Sequence, residues 1–339
     1  MKKKKVRYLM VLLFCLAALA AGIGVGSVPV SPGDVLRILG NRLFGLALPK
    51  DLAGTQMSIV WTLRLPRSLC AFLVGGALAA SGTVMQSVLR NPLASSYTLG
   101  VSSGASLGAA LVIVTGFAFP VLGFLTLPAA GFVFGLGTVM GVLLFASRMD
   151  RGFQNQTIIL AGMVFSLFVN ACLTMVSALN QGYMQQLMLW QMGSFSGKNW
   201  EQVGILAVAA VFGVLYLCRY ARHMDMMTFG EEAAKTMGVD TERTKKKLIA
   251  AASLLTGTAV CFTGTIGFLD LVAPHVARKI FGPAHRYVLP VSALMGGAFM
   301  VLADLAARTL LAPTELPVGA VTALLGAPFF AWIYFRGKG

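Results

Sequence analysis

The sequence predicts an all-α, polytopic membrane protein with ten transmembrane helices and both termini in the cytoplasm. Of its 339 residues, 57% are apolar and only 12% are charged, about half the roughly 25% charged content of a soluble domain. Mean hydropathy is +0.79, and a soluble enzyme, a disordered chain and a disulfide scaffold are excluded together. The apolar residues also gather into runs of about 20, the length that crosses a bilayer as a helix.

The first run, Tyr8 to Gly26, follows four consecutive lysines and Arg7 in the manner of a secretory signal. At about 19 residues it is longer than a signal core and long enough to span, so a retained first helix is expected. Eight further runs lie at 68–88, 96–115, 118–146, 157–179, 202–218, 247–266, 288–310 and 315–335. Nine crossings would separate the termini. Both ends nevertheless carry the cationic flank of a cytoplasmic end, Lys2 to Lys5 with Arg7 at one and Arg336 with Lys338 at the other. A short helix over Phe268 to Phe281, broken at Pro274, restores the parity.

With ten crossings, twenty lysines and arginines lie in cytoplasmic segments and seven outside. Most of the +15 net charge is therefore topology and not a nucleic-acid surface. Five of the seven outside cations, Arg37, Arg42, Lys50, Arg64 and Arg67, precede the second span and remain unexplained by topology; Arg148 and Arg151 are among the cytoplasmic ones. No repeat or linker divides the chain, so residues 1–339 are expected to form one membrane domain, with an outside loop at 27–66 and a cytoplasmic loop at 219–247.

Glycines at helical spacing, Gly100, Gly104 and Gly108 or Gly137 and Gly141, let helices approach closely in lipid. The five cysteines each lie in an apolar run without a CxxC pair and read as small core residues. No catalytic constellation is apparent, and no metal set. Gly193 to Asn199 superficially resembles a phosphate loop, but it has three residues between its glycines and Asn where Ser or Thr must reach magnesium. Asp270, expected at the outside end of its short helix with water at hand, and Asp304, able to pair with Arg308 one turn on, leave a proton-coupled carrier open as a rival reading. Thr228 to Val239 reads as a short cytoplasmic helix opened by Glu231 and Glu232, stopped by Gly238, and offering Met237, Ala233 and Ala234 to a partner.

Taken in order, several motifs resemble the FecCD-type permeases, the membrane subunits of bacterial ABC importers for ferric siderophores, haem and cobalamin. They begin with Arg64-Leu65-Pro66-Arg67, Gly75 to Gly82, Gln86, Arg90-Asn91-Pro92-Leu93-Ala94 and Leu99-Gly100. They continue through Leu160-Ala161-Gly162, Trp190 to Phe195, Gly230 to Val239, Gly264 to Phe268, Ala273-Pro274-His275, Arg278, and Glu315 to Gly319 leading to Gly326-Ala327-Pro328. The resemblance covers nearly the whole chain.

It implies a multi-pass subunit of the bacterial cytoplasmic membrane that works with a second permease subunit, identical or closely related, two ATP-binding subunits and an extracytoplasmic binding protein. ATP and magnesium would sit on the ATPase chains, and no cofactor or metal on this one. Arg64, Arg67 and Arg308 would dock the binding protein. Gly230, Glu231, Glu232, Ala233, Met237 and Gly238 would form the helix that couples to the ATPase. Asn91, Pro92 and Leu93, with Asn155 and Gln156, would line a cytoplasmic gate. A ferric siderophore is the expected cargo, with cobalamin or haem as the alternative. Ser95-Ser96 departs from the pattern where a proline is common, which implies a softer turn.

Overall fold

A computed structural model describes residues 2–26, 28–47, 54–120, 123–150 and 152–336. Lys50, Arg151 and Lys338, along with the side chains of Lys2, Lys3 and Arg336, lie outside the described residues. Among the described residues the secondary structure is helical throughout.

In chain order the helices are α1 (Lys2–Gly24), α2 (Pro32–Phe44), α3 (Gly54–Ser58), α4 (Leu65–Val88), α5 (Val101–Thr115), α6 (Gly123–Met149), α7 (Asn155–Leu179), α8 (Met184–Gln191), α9 (Trp200–Arg219), α10 (Ala221–Met227), α11 (Glu231–Thr236), α12 (Thr241–Thr263), α13 (Leu269–Phe281), α14 (His285–Thr309) and α15 (Val318–Arg336). Six helical stretches are long and apolar enough to cross a membrane: Lys4–Gly24, Gly54–Val88, Gly123–Met149, Asn155–Leu179, Trp200–Arg219 and His285–Thr309. Val101–Thr115 and Val318–Ala331 are shorter apolar helices.

The stretch before α4 is helical where the sequence suggests only a loop. A π-helical turn over Ile59–Arg64 joins α3 to α4 without a break. Ahead of it, α2 starts on a Ser31 cap, ends on Gly45 in the left-handed region (φ 68°), and packs Val35 and Ile38 against Ile23, Val30, Val60 and Leu65.

At the centre lies α4, buried on every side from Val74 to Val88, as expected of a helix surrounded by other helices in a bundle. Its main neighbour is α14. There Gly75 and Gly296 face one another so closely that a β-carbon on Gly75 would strike the Gly296 carbonyl. In lipid no hydrophobic effect separates helix–helix from helix–lipid contact, so such close backbone approach supplies the packing energy. The α5–α6 seam uses Gly104 and Gly108 in the same way, against backbone of Phe134 and Ala130, whereas Gly137 faces open space. By contrast α7 and α9 leave Leu167, Phe168, Val208 and Phe212 uncovered, the surface that lipid would cover.

Two expectations need correction. Pro274 does not break its helix: α13 runs unbroken from Leu269 to Phe281. Proline lacks the N–H that would reach the carbonyl four residues back, and the Gln86 side-chain amide donates to that Asp270 carbonyl instead, at 3.2 Å. Nor is Asp270 at a wet outer end. It is 4% exposed, and its carboxylate accepts from the Ser95 hydroxyl. Ser95 also caps the 3₁₀ turn Ser96–Leu99, accepting from the Tyr97 amide at 3.1 Å.

The helices define two ends of the bundle. One, the arginine end, holds the end of α1, the start of α4 and the end of α14; the other, the α11 end, holds α10, α11 and the starts of α12 and α14.

Candidate functional site

At the arginine end, Arg64, Arg67 and Arg308 come together around one recess of about 260 Å³, which Gly26, Val28, Pro313 and Glu315 also line. None of the three is a free surface cation. Arg64 donates to the carbonyls of Ile23 (3.3 Å), Gly24 (2.8 Å) and Val28, and Arg308 donates to the Gly22 carbonyl. Both therefore satisfy the carbonyl-rich end of α1, which has no helical partners of its own and carries partial negative charge.

Arg67 is held by carboxylates. Its Nε and Nη2 fork onto Asp304 at 2.8–3.0 Å, and Nη1 and Nη2 reach Glu315 at 2.7 and 3.1 Å. Asp304 is 1% exposed while Glu315 is 42% exposed. The helical neighbour Arg308 lies farther from Asp304, at 3.8 Å. A guanidinium fork matches a carboxylate's two oxygens, so Arg67, 237 residues away in sequence, takes the place of the one-turn partner. Three guanidinium groups against two carboxylates leave the recess with an excess positive charge.

The phosphate-loop look-alike is a brace at this same end. The Ser194 amide donates to the Thr263 carbonyl (2.8 Å) and the Val318 amide to the Gly193 carbonyl (3.2 Å). Lys198 donates to the Phe262 carbonyl at 2.6 Å, and burial lowers its ammonium pKa. The loop thereby closes the last turn of α12 against the start of α15.

At the α11 end, the short helix presents a divided face. Glu232, Met237 and Gly238 are exposed, and Gly230, Glu231 and Ala233 are half-buried. Ala234, which the sequence offers to a partner, is instead fully buried against Met227 and Val239. Beside the exposed Met237, Phe229 is also left bare, 77% exposed; nothing in its spacing marks it out. Glu231 turns inward and pairs with Lys245 of α12. A second tie holds α10 to α14, where Asp225 accepts from the His285 backbone amide at 2.9 Å and lies 2.7 Å from ring Nδ1.

Asn91, Pro92 and Leu93 form the turn after α4, with the Asn91 side chain accepting from the Leu93 amide at 2.9 Å. Asn91 and Pro92 line a recess of about 270 Å³ together with Arg90, Arg278 and His285. Asn155 opens α7 half-buried and Gln156 beside it is exposed. Asp150 fixes the approach to α7: its carboxylate accepts from the amides of Gln154 (2.9 Å) and Gly152 (2.8 Å), which hold its pKa below the ordinary value.

The FecCD transport family model matches residues 9–336. An uncharacterized ABC transporter permease of Bacillus subtilis, YvrB, is 39% identical over 97% of this chain and 93% of its own. The cobalamin import permease BtuC of Halobacterium salinarum is 38% identical over 91% of this chain and 81% of its own. The hemin permease HmuU of Yersinia pestis is 36% identical over 82% and 84%, respectively. Among solved structures, a metal-chelate type ABC transporter in an inward-facing conformation superposes with a TM-score of 0.83 at 28% identity, covering 97% of this chain and 98% of that one.

Proposed function

The chain belongs to the FecCD transport family, as a multi-pass membrane permease subunit of an ABC importer whose ATP hydrolysis is performed by a separate chain, and from that premise we propose that its cargo is a ferric siderophore. The similarity to a metal-chelate type transporter along almost the full chain supports a metal chelate as the cargo, a class to which ferric siderophores belong. The names of the cobalamin and hemin relatives favour a second one, in which the chelate is a corrinoid or haem.

In the mechanism we propose, six clear spans, the two shorter apolar helices, α12 and α13 make ten crossings with both termini in the cytoplasm, so that the arginine end lies outside. There the positive recess of Arg64, Arg67 and Arg308 receives acidic side chains of the loaded binding protein, in a contact weakened by salt. At the cytoplasmic end the ATPase seats α11 through Phe229 and Met237. Closure of the ATPase pair rocks the bundle, and the Asn91–Leu93 turn with Asn155 and Gln156 opens the exit between this subunit and its permease partner. Asp304 and Asp270 are committed to Arg67 and Ser95, which favours this reading over a proton-coupled carrier.

Reconstitution decides the matter. Liposomes holding the permease with its ATPase and binding protein should take up a radiolabelled ferric siderophore only with ATP inside. Uptake of cobalamin or haem in its place supports the second reading. Transport by the permease alone under a proton gradient refutes both.

A further inference from the structure

We propose that Lys245 is a positioning residue that passes movement of α11 to the loop ahead of α7, and so links the ATPase contact to the gate. The inference rests on the reading of α11 as that contact. Lys245 lies in the first turns of α12 with its side chain 1% exposed. Its ammonium sits between two other elements: the carboxylate of Glu231, the first residue of α11, and the backbone carbonyl of Phe153 at 3.2 Å.

Phe153 is fully buried, adopts a left-handed backbone (φ 48°) and stands two residues before Asn155. The Lys246 ammonium lies over its ring, 5.0 Å from the centroid. The loop is stiffened further by Asp150, whose carboxylate takes the Gly152 and Gln154 amides and the Thr157 hydroxyl of α7 at 3.1 Å. A displacement of α11 that carries Glu231 with it must either stretch the contacts of a buried cation or move the Phe153 carbonyl and the start of α7.

Stability alone is a poor reason for this lysine. An apolar side chain of similar volume commonly replaces a buried ion pair at little or no loss, whereas removing one partner of a pair is costly. What the ammonium adds is direction, because it donates to two separate elements at once.

The test uses the complete importer in nanodiscs, permease with ATPase and binding protein, and reads hydrogen–deuterium exchange over residues 150–158 with and without ATP and orthovanadate. In the wild type, nucleotide should change exchange there. With Lys245→Met the change should be lost while the ATPase stays attached, and Lys245→Arg should restore it. Glu231→Gln, which keeps the side-chain volume, should show the same loss and decides the question if Lys245→Met does not assemble. A nucleotide response that survives both Lys245→Met and Glu231→Gln with the ATPase bound overturns the linkage, as does a wild type with no response. Cross-linking of Met237→Cys to the ATPase separates the two failures: if it fails in an otherwise native complex, the reading of α11 falls first.

Discussion

Replacing Arg67 by Met should destabilise the permease more than neutralising either of its carboxylate partners, and far more than neutralising Glu315. Arg67→Met leaves Asp304, 1% exposed, without the fork that holds both its oxygens, and with only Arg308 at 3.8 Å as compensation. Removing one partner of such a buried pair costs about 3–5 kcal/mol. Asp304→Asn keeps a polar partner in place and leaves Arg67 its second carboxylate, so a lost charged hydrogen bond of about 1–3 kcal/mol is expected. Glu315 is 42% exposed and rehydrates when released, so Glu315→Gln should cost about 1 kcal/mol or less. Unfolding in nanodiscs followed by tryptophan fluorescence suits this end of the bundle, because Trp61 and Trp200 pack there with ring centroids 4.9 Å apart and the Trp200 indole donates to the Trp61 carbonyl at 3.0 Å. The same series measures docking: Glu315→Gln raises the positive charge of the recess and should tighten binding-protein association, most strongly at low salt. Equal destabilisation by Arg67→Met and Glu315→Gln would refute the assignment of the buried pair, and unchanged docking by Glu315→Gln would refute the docking recess.

Gly75→Ala puts a methyl group against the Gly296 carbonyl and should cost about 1–3 kcal/mol through overpacking. Gly137→Ala meets open space and should be neutral or stabilising by roughly 0.5–1 kcal/mol from helix propensity; thermal melting of the two variants side by side checks the contrast. Phe229→Ser should weaken ATPase association by about 2 kcal/mol, roughly thirtyfold, if the bare ring is buried in that contact, as read by co-purification across a dilution series.

Much of the bundle is legible because lipid makes a local demand: every crossing needs its own apolar run. That is why α6, α7, α9 and α14 fall close to their expected bounds. Glycine spacing is less informative. The same four-residue interval serves helix contact at Gly104 and Gly108 but leaves Gly137 unused, since spacing reports a shared face and not what covers it.

By itself the sequence determined the membrane class, most of the helices, the short α11 and the cluster of cations that runs up to the first turn of α4. Only the tertiary structure decided what those charges touch. Asp304 has a cation one turn away yet pairs with Arg67, Glu231 finds its partner on α12, and Asp270 is enclosed by Ser95 and the Gln86 amide. In each case the partner is chosen by distance after the helices pack, and for Arg67 by fork geometry as well, because Coulomb and hydrogen-bond energies depend on separation in space, a quantity that chain spacing encodes only within a helix.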